Sequence, residues 1–135
     1  GGIKKDISLI QGTGRNDQRI YSTKVADQLK QILALVVTEG TAKKAAIEGY
    51  SVAGKTGTVR KMGESGYEDT RHLAFFAGMA PVAHPRLVGV VLINEPKSDK
   101  SGGGSIAAPV FSRVMQSALR ILNVPPAVQL KEGAA

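Results

Sequence analysis

The residues best able to do chemistry lie in one run, Gly49-Tyr50-Ser51-Val52-Ala53-Gly54-Lys55-Thr56-Gly57-Thr58. Its first eight residues fit the phosphate-loop pattern G-x-x-x-x-G-K-[ST]. The apolar run Val90-Val91-Leu92-Ile93-Asn94-Glu95 could pass for the acidic strand of such a site. Phosphate binding needs more than these letters. The loop must follow a buried strand and open a helix, so that backbone N–H groups and the helix N-terminus meet the anion. Upstream, Ala42-Lys43-Lys44-Ala45-Ala46 is not an apolar strand. Downstream, Gly57-Thr58-Val59-Arg60-Lys61-Met62-Gly63 sets two glycines among β-branched residues, which is poor helix material. The nucleotide-site reading of residues 49–56 is therefore kept only as an alternative.

Read as a strand, the same residues offer a different chemistry. Side chains alternate along a strand, so Thr56 and Thr58 share one face while Lys55 and Gly57 share the other. Gly57 has no side chain, which lets another molecule lie close to the backbone. The Thr58 N–H and the two threonine hydroxyls are donors for a carboxylate or an oxyanion. Lys55 adds positive potential. By itself Lys-Thr-Gly fits equally a threonine-rich strand with a solvated lysine.

The elements that must hold this run follow from periodicity. Ser22 can cap a helix over residues 22–39, with Val25, Leu29, Ile32, Leu33, Val36 and Val37 on its apolar face and Gly40 just past its end. Residues 41–49 form a basic, alanine-rich connection. Strands are expected near 51–61, 72–80 and 87–95, the last two flanking a hairpin loop, Pro81-Val82-Ala83-His84-Pro85. Residues 62–66 read as a loop. The runs 73–79 and 87–93 are apolar nearly throughout, as in strands covered on both faces. A last helix spans about 105–122, with Pro109 confined to its first turn and Ile106, Val110, Val114, Leu119 and Leu122 as its stripe. Two short strands at 7–10 and 18–21 could pair near the start. The class is α+β, an antiparallel sheet with packed helices.

Taken in order, a series of motifs carries a family likeness. Val52-Ala53-Gly54-Lys55-Thr56-Gly57-Thr58 comes first, then Phe76-Ala77-Gly78-Met79-Ala80-Pro81 and His84-Pro85-Arg86. Val90-Val91-Leu92-Ile93-Asn94-Glu95-Pro96, Gly103-Gly104 and Ala107-Ala108-Pro109-Val110-Phe111 complete it. In this order and spacing, from about Val25 to Pro126, the chain resembles the C-terminal part of a class B penicillin-binding protein transpeptidase domain, and it looks most like the division-specific enzyme of Gram-negative bacteria.

The resemblance implies a serine acyl-enzyme that cross-links peptidoglycan stem peptides and is trapped by β-lactams. It assigns catalytic roles to Lys55 and Thr58 and substrate binding to Thr56, Gly57 and Thr58. Lys55 would supply positive potential for the substrate carboxylate and hydrogen-bond toward the serine of an S-x-N motif. The two threonine hydroxyls would hold the carboxylate, and the Thr58 N–H would be one of two oxyanion-hole donors. It implies division proteins as partners, no cofactor, and a place on the periplasmic face of the inner membrane, anchored by a segment N-terminal to Gly1.

Two departures qualify it. No S-x-x-K and no S-x-N occurs among the 135 residues, and Thr41-Ala42-Lys43-Lys44 has threonine where the nucleophile belongs. The nucleophile, its lysine and the second motif are expected on sequence N-terminal to Gly1, making residues 1–135 the C-terminal portion of a domain and inactive alone. A non-catalytic interaction domain stays open for the same reason. Ser101 and Gly102 stand where the family often has aromatics, leaving a more open pocket, compensation by Tyr67 or a phenylalanine, or a plain flexible loop.

Composition removes other classes. Cysteine is absent, and with it disulfides, thiolate zinc sites and cysteine nucleophiles. His72 and His84 are the sole histidines and have no metal partner at usable spacing. The net charge of +7 invites nucleic acid, but the lysines are scattered, aromatics are 4% and tryptophan is absent. A basic surface equally suits anionic lipid or an acidic polymer, and no nucleic-acid partner is expected.

Overall fold

The computed structural model describes residues 1–5, 17–63, 66–97 and 102–127. Strands β1, Ile3–Lys4, and β2, Gln18–Arg19, pair antiparallel. The second lies inside the expected 18–21 strand; residues 7–10 and the loop 12–16 fall outside the described residues. Helix α1, Thr23–Thr38, is capped as its sequence suggests: the Val25 N–H donates to Ser22 Oγ at 3.3 Å, and Gly40 follows the terminal residue Glu39. A single 3-10 turn, Lys43–Ala45, leads into the sheet.

Strands β3, Ala53–Gly63, β4, Gly66–Ala80, and β5, Leu87–Asn94, form an antiparallel sheet in the order β3-β4-β5. The β3–β4 hairpin is longer than expected. Residues 62 and 63 and residue 66 onward are paired strand, with a register shift between Arg60 and Met62, so residues 62–66 are not one open loop. The chain returns to α2, Gly103–Ile121, which lies across one face of the sheet. This is the α+β architecture the sequence predicts.

Close packing explains that face. Gly78 and Gly89 are directly opposed on β4 and β5. A Cβ on Gly78 would come within 3.0 Å of Phe111 Cζ, and one on Gly89 within 3.3 Å of Phe111 Cε2, so their absence lets the α2 phenylalanine sink between them. Phe111 meets Phe76 edge to face at 4.8 Å and 71°. Phe76, Phe111 and Leu119 are fully buried, with Val37, Ile47, Val52, Ala107 and Met115 around them. Each large apolar side chain buried this way contributes about 1.5–3 kcal/mol.

Four expectations are corrected. The buried row of α2 is Ala107, Ala108, Phe111, Met115 and Leu119, while Val110, Val114 and Leu122 of the expected stripe are exposed. The two rows are neighbours on the helix and share the buried Leu119; Ala107 and Ala108 let the helix backbone approach the sheet. The helix starts at Gly103, so Pro109 lies in its second turn and leaves the Ser105 carbonyl without its i+4 donor. On α1, Val37 is buried and Leu33 half-buried, but Val25, Leu29 and Ile32 are exposed. Strand β5 alternates: Leu87, Gly89, Val91 and Ile93 turn toward α2, and Val88, Val90 and Leu92 are exposed at 76%, 65% and 55%. Periodicity reveals that an apolar face exists, not which part of it the described elements cover.

Candidate active site

Strand β3 has β4 on one side and, among the described residues, no strand on the other. Lys55-Thr56-Gly57-Thr58 therefore sits on an edge strand. The register places Thr56 opposite Phe76 and Thr58 opposite Ala74, on the face that α2 crosses. Lys55 pairs with Ala77 and Gly57 with Phe75 on the other face. Antiparallel partners point the same way, so the alternation read from the sequence is present. Lys55 and Thr58 are exposed; Thr56 and Gly57 are half-buried. The Lys55 ammonium donates to the Thr56 carbonyl oxygen at 3.1 Å, lying back over its own strand.

The strand following Gly49 removes the phosphate-loop geometry: Ile47 and Tyr50 bridge, and Gly54, Lys55 and Thr56 are extended and enter no helix. Gly57 needs a correction of another kind. A Cβ there would overlap the ring of Phe75, so the space that the sequence reading left for a ligand beside Gly57 is taken by this side chain. The cross-strand partner fills the gap, as aromatics do over strand glycines.

The glycines before α2 complete the site. A Cβ on Gly103 would strike the Phe75 carbonyl oxygen and stand 2.8 Å from that of Gly57. One on Gly102 would stand 4.0 Å from Thr58 Oγ1. The amino end of a 19-residue helix thus meets the Lys-Thr-Gly-Thr strand backbone to backbone. Residue 101 lies outside the described residues, so the expected loop over 101–102 is described only at Gly102. Tyr67 is 70% exposed, beside Met62 on the hairpin.

Thr41 also enters the site, and sequence reasoning missed it. Its hydroxyl stands 3.2 Å from the Thr56 hydroxyl. Its sequence neighbourhood offers only a failed nucleophile motif, and a contact across 15 residues leaves no periodic trace.

Elsewhere, Glu95 Oε1 accepts from Lys61 Nζ at 2.6 Å and Arg71 Nε at 3.0 Å. His72 is buried and His84 exposed. Among the described residues, no group of three or more His, Cys, Asp or Glu stands close enough to hold a metal ion, and no helix is long and apolar enough to cross a membrane.

A family model described as the penicillin binding protein transpeptidase domain matches residues 1–116. A peptidoglycan D,D-transpeptidase FtsI of Buchnera aphidicola subsp. Baizongia pistaciae is 38% identical over 132 residues, covering 93% of this chain and 23% of that protein. The apo transpeptidase domain of Burkholderia pseudomallei penicillin-binding protein 3 superposes with a TM-score of 0.81 at 36% identity, over 93% of this chain and 39% of that one. A mycobacterial penicillin-binding protein 3 complexed with ampicillin gives a TM-score of 0.73 at 28% identity, over 87% of this chain and 30% of that one. The chain thus spans less than a quarter of the length of its first curated relatives.

Proposed function

The chain belongs to the penicillin-binding protein transpeptidase family, and on that premise we propose that residues 1–135 are the C-terminal portion of a peptidoglycan D,D-transpeptidase domain serving cell division. The observation that carries this is the edge strand Lys55-Thr56-Gly57-Thr58, with both threonines on one face and the glycine-rich start of α2 against them. Relatives at 36–38% identity bearing the name peptidoglycan D,D-transpeptidase FtsI support the substrate class.

In this reading a serine supplied from outside these residues attacks the carbonyl of a D-Ala-D-Ala stem peptide. D-Ala leaves, and an amine from a neighbouring stem resolves the acyl-enzyme into a cross-link. The substrate carboxylate is held by the Thr56 and Thr58 hydroxyls in the positive potential of Lys55. The Thr58 N–H donates to the oxyanion as charge develops on it. Gly57 contributes backbone only, since Phe75 occupies its side-chain space. β-Lactams enter the same cleft, as the ampicillin complex of the mycobacterial neighbour suggests.

The remainder of the domain brings the S-x-x-K and S-x-N motifs. It covers the exposed faces of β5 and α1, where Val88, Val90, Leu92, Leu29 and Ile32 stand bare. Membership of this family supports a periplasmic location and a membrane anchor outside these residues.

The test is acylation of the complete domain by a fluorescent penicillin, with Thr58→Val compared against wild type. The variant keeps shape and backbone N–H but loses a hydroxyl. The acylation rate should fall, yet by less than the roughly 10²–10³-fold typical of losing an oxyanion donor. An unchanged rate would count against the carboxylate role.

A further inference from the structure

We infer that Thr41 is a positioning residue for this site, fixing the rotamer of Thr56 so that its hydroxyl is already oriented when a carboxylate arrives. The inference rests on the transpeptidase reading above.

Thr41 is held by backbone on both sides. At the end of α1, the Gly40 N–H returns to the Leu35 carbonyl at 2.9 Å and the Ala42 N–H to the Val36 carbonyl at 3.0 Å. These bonds take up the Leu35 and Val36 carbonyls in the last turn and fix the direction in which the chain leaves. From the other side comes α2. A Cβ on Gly104 would strike the Thr41 carbonyl oxygen and lie 3.3 Å from Thr56 Cγ2, so the glycine is seated against both threonines at once.

Thr56 is thereby gripped at both branches of its side chain. Its methyl faces Gly104, and its hydroxyl faces the Thr41 hydroxyl at 3.2 Å. A threonine has three staggered wells about χ1, and this arrangement selects one of them. A hydroxyl both donates and accepts. Thr56 can accept from Thr41 while pointing its own proton at an anion, which orients the donor that the site needs.

The contact is long for an O–H···O bond and exposed. Its loss should therefore cost a modest factor, about three- to tenfold in the rate of acylation. Thr41 does not touch substrate in this account. Its effect must pass through Thr56, and that separates it from a residue that merely stabilises the fold.

A double-mutant cycle on the complete transpeptidase domain makes the distinction. The probe is a fluorescent penicillin, and the readouts are the acylation rate constant and the melting temperature. Thr41→Val, which keeps the shape and removes the hydroxyl, should slow acylation about three- to tenfold with the melting temperature nearly unchanged. Thr41→Ser, which restores the hydroxyl, should return most of the rate. In a Thr56→Val background, Thr41→Val should cost nothing further.

Equal losses from Thr41→Val in both backgrounds would overturn the inference, as would a serine variant as slow as the valine one. A wild-type rate in Thr41→Val overturns it while leaving the transpeptidase reading intact. No acylation of the unsubstituted domain overturns both. Should the valine variant not fold, Thr41→Ala enters the same cycle with the same expectations.

Discussion

Lys61 Nζ stands 2.6 Å from Glu95 Oε1, joining the far end of β3 to the residue that follows β5. Arg71, inside β4 next to the Arg60–His72 pair, reaches the same oxygen at 3.0 Å. Glu95 itself has a φ of 49°, which turns the chain sharply out of β5, and its N–H donates to the His72 carbonyl. One carboxylate just past the end of β5 thus ties all three strands together, away from the Ala53 end of β3.

A pH dependence follows from that clasp. The Lys61 hydrogen bond, then that of Arg71, holds the Glu95 carboxyl below its ordinary value of 4.5. A depressed folded pKa means that the unfolded chain binds the proton first as pH falls. The stabilisation is therefore complete above 4.5 and is lost as pH drops through the lower folded value. Glu95→Gln should be less stable than wild type near neutrality, and the gap should narrow toward about pH 3. Denaturant midpoints at the two pH values check this. A gap that stays constant would show that the carboxylate's charge is not what matters.

Gly57→Ala should destabilise the domain by about 1–3 kcal/mol, because the new methyl meets the Phe75 ring. The cost should shrink when Phe75 is also changed to Leu, since a smaller partner vacates the space. Urea unfolding of the three variants measures the coupling. Additive losses would mean that the strain arises in the backbone rather than against the ring.

Phe111→Ala removes a ring with 1% exposure that touches Phe76 and sits over Gly78 and Gly89. The glycines cannot collapse into the cavity because they have no side chains to move. The loss should reach about 3–5 kcal/mol, the usual range for phenylalanine truncation in a core. A denaturation curve giving less than about 1 kcal/mol would contradict the packing described for α2.

These residues also show what was legible beforehand. Ser22 announces its helix because a cap is a local signal, and the strand over Lys55-Thr56-Gly57-Thr58 announces itself by its β-branched residues. The choice between the phosphate-loop and strand readings was decidable from sequence context, since helix propensity after Thr56 is poor. The partner of Gly57 was not legible: that Phe75 stands opposite depends on register, which one slipped residue would reverse. Nor was the grip of Gly104 on Thr41, since it brings together segments far apart in sequence. The two apolar rows of α2 share Leu119 and otherwise lie side by side, so periodicity alone does not tell whether Val110 and Val114 or Phe111 and Met115 face the sheet.

Residues 1–135 alone should form no stable adduct with a fluorescent penicillin. Acylation requires a serine beside a base, and no serine in the sequence is followed three residues later by lysine. The strand Lys55-Thr56-Gly57-Thr58 can bind and polarise but offers no activated nucleophile. ATP hydrolysis should be absent as well, because the residues after Gly54-Lys55-Thr56 continue as strand and present no helix N-terminus to a phosphate. Adding a separately produced polypeptide with the S-x-x-K and S-x-N motifs of the same domain should restore labelling. It would rebuild the cleft and cover Val88, Val90 and Leu92, which stand exposed on β5. Gel fluorescence after mixing reads the outcome directly. Labelling of residues 1–135 by themselves would reveal a nucleophile that the motif spacing does not disclose, and ATP turnover would revive the phosphate-loop reading.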